Sequence, residues 1–236
     1  MNGINETENE MSSRDKILAA VKGNQPQWRD LPGLTPPTGE VPATPVGGPA
    51  GELSKQFIEV LEAIGGRAYI VSGWERIATI LKETGAPGRG SSDGQTLAVT
   101  GEHRTVTGCP ELADMAEMAT RYEDPHSLEN VDLAILKAHF GVAENGACWI
   151  TEDRMIERVL PFIAQHLALV IHRKDIVPHM HAAYDRIGEA AYGFGTFIAG
   201  PSKTADIEQS LVLGAHGPRS MTVFLLDEEL SDAGFY

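Results

Sequence analysis

Three short stretches bring together residue types that do chemistry. In Gly200-Pro-Ser-Lys-Thr-Ala-Asp-Ile-Glu208 an apolar run over 196–199 leads into Gly200-Pro201-Ser202. This predicts a helix that opens with Ser202 or Thr204 at its N-cap and Asp206 or Glu208 in its first turn. Backbone N–H groups at such a start, at the C-terminal edge of a sheet, bind a carboxylate or phosphate, and Ser202, Lys203 and Thr204 add donors and charge. The same residues also fit a plain, well-capped helix. The second stretch is Gly214-Ala-His-Gly-Pro-Arg219, just before the last apolar run. Its tight loop holds His216, a general acid or base, and Arg219, a guanidinium fork for anions. The alternative is a turn with a satisfied histidine and a surface arginine. In the third stretch, residues 140–149, Glu144 precedes an Asn145-Gly146 turn. Presented into a cleft and desolvated, that carboxylate suits a nucleophile or base; at a hairpin tip it is merely exposed.

Other patterns point away from metals and nucleotides. His179 and His181 stand two apart on a predicted helix and do not share a face, and His166 and His172 flank a strand. No zinc-spaced set, Walker loop or Gly-x-Ser-x-Gly elbow occurs, and Gly193-Phe-Gly195 lacks the rest of a dinucleotide fingerprint. The expectation is no metal bound by this chain alone.

The elements that must position these residues follow from apolar periodicity. A short helix is predicted over 13–21. Residues 26–49 hold seven of the fourteen prolines and read as a linker or wrapping arm. The expected organisation is thus an N-terminal helix with a Pro-rich, partly disordered arm over 1–50, and a folded domain over 51–236. In that domain helices are predicted over 53–64, 74–83, 113–121 and 175–187. Strands are predicted over 67–71, 96–100, 133–136, 147–150, 167–171, 196–199 and 222–226. Alternating strands and helices predict an α/β fold with a mainly parallel sheet.

Composition narrows the function classes. The chain has 236 residues, 42% of them apolar, enough for one sizeable core. With 33 acidic against 19 basic residues its formal charge is −14. Such a chain gains nothing from counterion release on nucleic acid and is repelled by an anionic membrane. No apolar run approaches a bilayer span and no signal peptide is evident, so a cytoplasmic location is expected. The two cysteines, Cys109 and Cys148, cannot ligate an iron–sulfur cluster by themselves.

The run from Gly200 to Glu208, followed by Leu211-Val-Leu-Gly-Ala-His-Gly-Pro-Arg219, closely resembles the signature of the LUD-domain family, in particular its lactate-utilisation protein C group. Ala143-Glu-Asn-Gly146, then Arg158 with Leu160-Pro161, and the Ser13-Arg-Asp-Lys-Ile-Leu helix fit the same pattern. The similarity covers most of residues 50–230. It implies a Rossmann-like three-layer α/β/α sandwich, shared with glucosamine-6-phosphate deaminase, ribose-5-phosphate isomerase and CoA transferases. It also implies a part in oxidising L-lactate to pyruvate with two operon partners, the iron–sulfur clusters residing on those partners. Protein B of such systems carries a cysteine-rich ferredoxin region after the domain; the resemblance here is to protein C.

On this reading Arg158 or Arg219 holds a carboxylate bidentately, and the N–H groups near Ser202–Thr204 hold a second oxyanion. Glu144 or His216 handles a proton, with Gly200, Lys203 and Asp206 completing the pocket. Two alternatives stand beside it. Glu144-Asn145-Gly146 is similar to the glutamate-Asn-Gly motif of class I CoA transferases, whose glutamate becomes an acyl-CoA thioester; Ala143 stands where that family has serine. The other is a regulatory or scaffold subunit whose Pro-rich arm and acidic surface hold partners.

Overall fold

The computed structural model describes residues 12–24, 50–84, 103–207 and 210–227. The chain divides into two compact units, Met1–Ala43 and Thr44–Tyr236. In the first, helix α1 (Ser13–Gly23) is capped by Ser12, whose hydroxyl accepts from the Asp15 N–H. The second unit holds everything that follows. The strand expected at 96–100 and the Pro-rich arm lie outside the described residues.

The frame is a six-stranded, wholly parallel sheet in the order β1-β12-β7-β4-β2-β3. Its strands are β1 (Arg67–Val71), β2 (Thr105–Thr107), β3 (Glu117–Met118), β4 (Leu133–Lys137), β7 (His166–His172) and β12 (Ser220–Leu226). Both faces are covered, which is why β7 and β12 read as nearly continuous apolar runs. Leu167, Leu169 and Ile171 of β7 with Met221, Val223 and Leu225 of β12 point one way, toward Phe57 and Leu61 of helix α2 (Ala50–Ala63). Ala168, Val170, Phe224 and Leu226 point the other way, toward Ile77, Ile80 and Leu81 of helix α3 (Trp74–Thr84). The period of two along each strand thus builds two cores on opposite faces.

A second sheet, β8-β5-β6-β9, shares the α2 side. It contains β5 (Phe140–Val142), β6 (Ala147–Thr151), β8 (Ile176–Val177) and β9 (Gly195–Ile198). Cys148 and Ile150 of β6 join the α2 core, while Phe140, Val142 and Trp149 form a third core with Ala183 of helix α6 (Met180–Ile187) and Phe197. The Rossmann-like α/β fold is therefore present, with this small mixed sheet added to the layer that holds α2.

Three predicted helices differ. Residues 113–121 are not helical: a single 3-10 turn at Pro110–Leu112 runs through further turns into β3. Pairing of β3 with β2, and the grip of Arg104 on Glu117 at 2.8 and 2.9 Å, outweigh weak local propensity. The helix expected from 175 starts only at Met180. Ile176 and Val177 pair with β5 as β8, and Val177 precedes Pro178, which disfavours helical backbone there. His179 then caps α6, its Nδ1 accepting from the Ala182 N–H at 3.1 Å. The third, at 202–208, belongs to the site.

Candidate functional site

No helix opens at Ser202. Residues Lys203–Ile207 form β10, which pairs antiparallel with β11 (Ser210–Leu213) in a two-stranded hairpin. The expected anion nest of helix N–H groups is therefore not there. Thr204 and Val212 face one another across the ladder, and β-branched residues favour that pairing over a helix. Asp206 lies within β10, its side chain outside the described residues.

The hairpin does join the two C-terminal motifs. The Ser202 N–H donates to the Pro218 carbonyl at 2.8 Å, and the Gly214 N–H to the Ser202 carbonyl at 3.0 Å. Gly200 and Gly214 both adopt positive φ, 70° and 76°, at its two ends. The Lys203 ammonium donates to the Ile64 carbonyl beside the end of α2. His216 and Arg219 are both exposed. The Arg219 N–H bonds the Gln165 carbonyl at 2.8 Å and β12 begins at the next residue, so this motif sits at the N-terminal edge of the large sheet, not the C-terminal edge.

That edge carries a polar row which spacing alone did not reveal. Ser220 and His166 lie level across β12 and β7. His166 is buried, its Nδ1 2.7 Å from the Ser220 hydroxyl. Burial, then the Arg219 guanidinium, holds its imidazole below the ordinary range. Next to it, His103 Nδ1 lies 3.6 Å from Asp132, which also accepts the Arg104 N–H at 2.9 Å.

Glu144 stands in the turn from β5 to β6. Gly146 turns the chain with φ 66°, and a Cβ there would lie 3.0 Å from the Leu61 backbone of α2. The Glu144 side chain is exposed, and its Oε2 accepts the Met180 N–H at 2.9 Å, capping α6. The desolvation that makes a glutamate nucleophilic is missing at this position. Glu144→Ala is expected to cost about 1 kcal/mol of stability through the lost cap. An unchanged urea midpoint would show that the cap contributes nothing.

Arg158 lies beyond the other end of β6. Gly146 to Thr151 is five strand steps, about 17 Å at roughly 3.4 Å each. Arg158 and Glu144 therefore do not share a pocket, whereas the antiparallel β6–β9 register brings the Glu144 turn to the same end as Gly200: a Cβ at Gly146 would meet Leu61 and one at Gly200 would meet Ile64, both at the end of α2. Arg158 donates from Nε to Glu152 Oε2 at 2.7 Å, Nη2 stands 2.5 Å from the same oxygen, and the guanidinium lies 5.8 Å from the Phe194 ring centre. This pairing holds the Glu152 carboxyl below its usual range. Glu152 opens the short helix α4 (Glu152–Met155), and Ile156 follows with φ 65° and ψ −59°. With the Glu157 N–H bonded to the Met155 carbonyl at 2.8 Å this is a γ-turn of the strained, positive-φ kind, on a β-branched residue. It sets Glu157 and Arg158 at an open cleft of about 300 Å³, whose polar walls are Arg121, Glu152, Glu157 and Arg158.

The C-terminal edge of the large sheet, where open α/β sheets place ligands, has its own polar groups. His139 Nε2 lies 2.5 Å from the Thr151 hydroxyl, which donates to Asp153. Burial, then Arg154, lowers the His139 pKa. Lys137 pairs with Glu111 at 2.7 Å over the Trp74 ring, and Arg173 pairs with Asp227. These residues close apolar strands, and position at a strand end was their one sequence signal. Cys109 and Cys148 are fully buried; burial pushes the Cys109 thiol up to about 11 and the Cys148 thiol higher still. Among the described residues no group of three or more His, Cys, Asp or Glu is placed to hold a metal ion, and no helix is long and apolar enough to cross a membrane.

Comparison with known proteins places this architecture. The profile of the LUD domain matches residues 54–226. Lactate utilization protein C of Bacillus pumilus is 32% identical over 117 residues, covering 47% of this chain and 49% of that protein. The protein of the same name from Bacillus subtilis is 28% identical over 112 residues, covering 45% and 47%. The chain thus spans about half the length of the curated relatives it matches. Among solved structures, a DUF162 family protein from Deinococcus radiodurans aligns with a TM-score of 0.52 at 16% identity, over 77% of this chain and all of that one, a likeness of fold. The signature at 200–219 and the matched span of more than half the chain agree: this chain belongs to the LUD domain family.

Proposed function

We propose that this protein serves lactate utilisation as a subunit that ligates no iron–sulfur cluster and works in the cytoplasm with partner proteins that do. Its relatives carry the name lactate utilization protein C. The observation that carries the reading is the placement of the two cysteines. Cys148 belongs to the core on the α2 side of the large sheet and Cys109 to the core on the α3 side. A cluster needs thiolates converging on one site, usually four. Two protonated thiols on opposite faces of a sheet do not fit one. Oxidation of L-lactate to pyruvate releases two electrons and two protons, so the electron carriers of such a system belong to its partners. This chain supplies binding groups for an anionic small molecule or for those partners.

The test is affinity purification of the tagged protein from its native cells grown on L-lactate, with iron and lactate-oxidising activity assayed in the same fraction. Iron-bearing proteins and activity are expected to co-purify. Recovery of the protein alone, iron-free and inactive with lactate, overturns the reading.

A further inference from the structure

We propose that the cleft between Arg121 and Arg158 is a binding site for a short aliphatic monocarboxylate. The ligand class rests in part on the lactate-utilisation reading; the site itself rests on geometry. Both carboxylates in the cleft are already engaged. Glu152 accepts from Arg158 on Oε2 and from the Gly193 N–H on Oε1 at 2.9 Å, and Glu157 Oε1 accepts the Tyr122 N–H at 3.1 Å. The guanidiniums keep N–H donors to spare. Arg158 uses Nε and Nη2 on Glu152, which leaves Nη1 available. Arg121 makes no hydrogen bond or ion pair with any described residue. The cleft therefore offers unused guanidinium N–H donors, which is what an anion needs.

Charge selects among anions. Two arginines against two glutamates leave the walls neutral overall; Arg158 pairs with Glu152, which leaves the Arg121 cation and the Glu157 anion each without an ion-pair partner among the described residues. A singly charged carboxylate on Arg121 meets about half the repulsion from Glu152 and Glu157 that a phosphate dianion would. Pro125, Ile156 and Val159 form the apolar wall, suited to a short alkyl part. Arg158 is held before any ligand arrives, by Glu152 at its edge and Phe194 near its face, so little side-chain freedom is lost on binding. The sequence motif pointed to Arg158 alone; Arg121 comes from a segment that reads as an ordinary helix.

The experiment is isothermal titration of the full chain with L-lactate, pyruvate and inorganic phosphate, repeated on Arg121→Ala and Arg158→Lys. L-Lactate or pyruvate is expected to saturate with Kd on the order of 1 mM, phosphate to bind more weakly, and each variant to lose at least about tenfold. Arg121 is exposed, so its variant stays informative should Arg158→Lys fail to fold. No saturation by either acid up to about 50 mM, equal affinity in Arg121→Ala, or tighter binding of phosphate overturns the proposal. Its failure is separable from that of the lactate reading. Co-purifying iron proteins with no carboxylate binding remove the site alone; carboxylate binding lost in Arg121→Ala, without co-purifying partners, removes the subunit reading alone.

Discussion

Replacing Phe57 by alanine lowers the unfolding free energy by about 4 kcal/mol and the melting temperature by roughly 10 °C. The residue is fully buried on the inner face of α2. Its ring lies over Gly141 of β5, where a Cβ would stand 2.9 Å from Phe57 Cε2 and 2.8 Å from Ile171 Cδ1. The ring therefore packs where three elements meet: α2, the large sheet through β7, and the small sheet through β5. Truncation removes the buried ring and leaves a cavity between layers that cannot close without moving a strand. Urea unfolding followed by circular dichroism measures it. A loss below about 1.5 kcal/mol would mean that the layers collapse into the space. Gly141→Ala tests the same contact from the other side by overpacking it, with an expected loss of about 2 kcal/mol.

The same packing explains what was legible in the sequence. Segments that bury a face against a fixed neighbour show it in their own periodicity. Phe57, Ile58, Leu61 and Ile64 marked α2, and the runs in β7 and β12 marked central strands because both faces are covered. The 202–208 segment was misread because its residues satisfy two local rules at once. Ser202, Thr204 and Asp206 are good N-cap chemistry, yet Thr204 pairs with Val212, a partner eight residues ahead that no local window weighs. The start of α6 was missed for the opposite reason: the stop signal, Pro178, was present, but apolar residues on both sides hid it.

The candidate site was legible only in pieces. The joining of Gly200–Thr204 with Gly214–Arg219 agrees with reading them as one motif, although through a hairpin and at the other edge of the sheet. Glu144 and Arg158 flank one strand, and a strand's length separates them. The common pocket expected of them is one that the extended backbone of β6 forbids. Arg121 and His139 had no pattern of their own, since a lone arginine and a lone histidine acquire meaning only from residues brought close by the fold.

Asp227→Ala is the second large loss expected, about 3 kcal/mol. Asp227 follows β12 and Arg173 follows β7, neighbouring strands of the large sheet, and the two side chains are 10% and 27% exposed. Arg173 also donates from Nε to the buried Ser54 hydroxyl of α2 at 3.0 Å, and the Asp227 N–H bonds the Val71 carbonyl at 2.9 Å. The pair thus ties two central strands to α2 and to β1. Removing the carboxylate leaves a largely buried guanidinium with no opposite charge at hand, and that uncompensated cation, rather than the lost attraction, dominates the cost. The double variant Arg173→Met with Asp227→Ala removes the cation as well, and should regain at least about 1 kcal/mol of the single variant's loss. Equal losses in single and double variants would mean that solvent already compensates Arg173. Lactate titration of Asp227→Ala at a temperature where it remains folded separates stability from binding. The pair bridges strand ends and takes no part in the Arg121–Arg158 cleft, so the affinity there should stay within about twofold of the unaltered chain while the melting temperature falls.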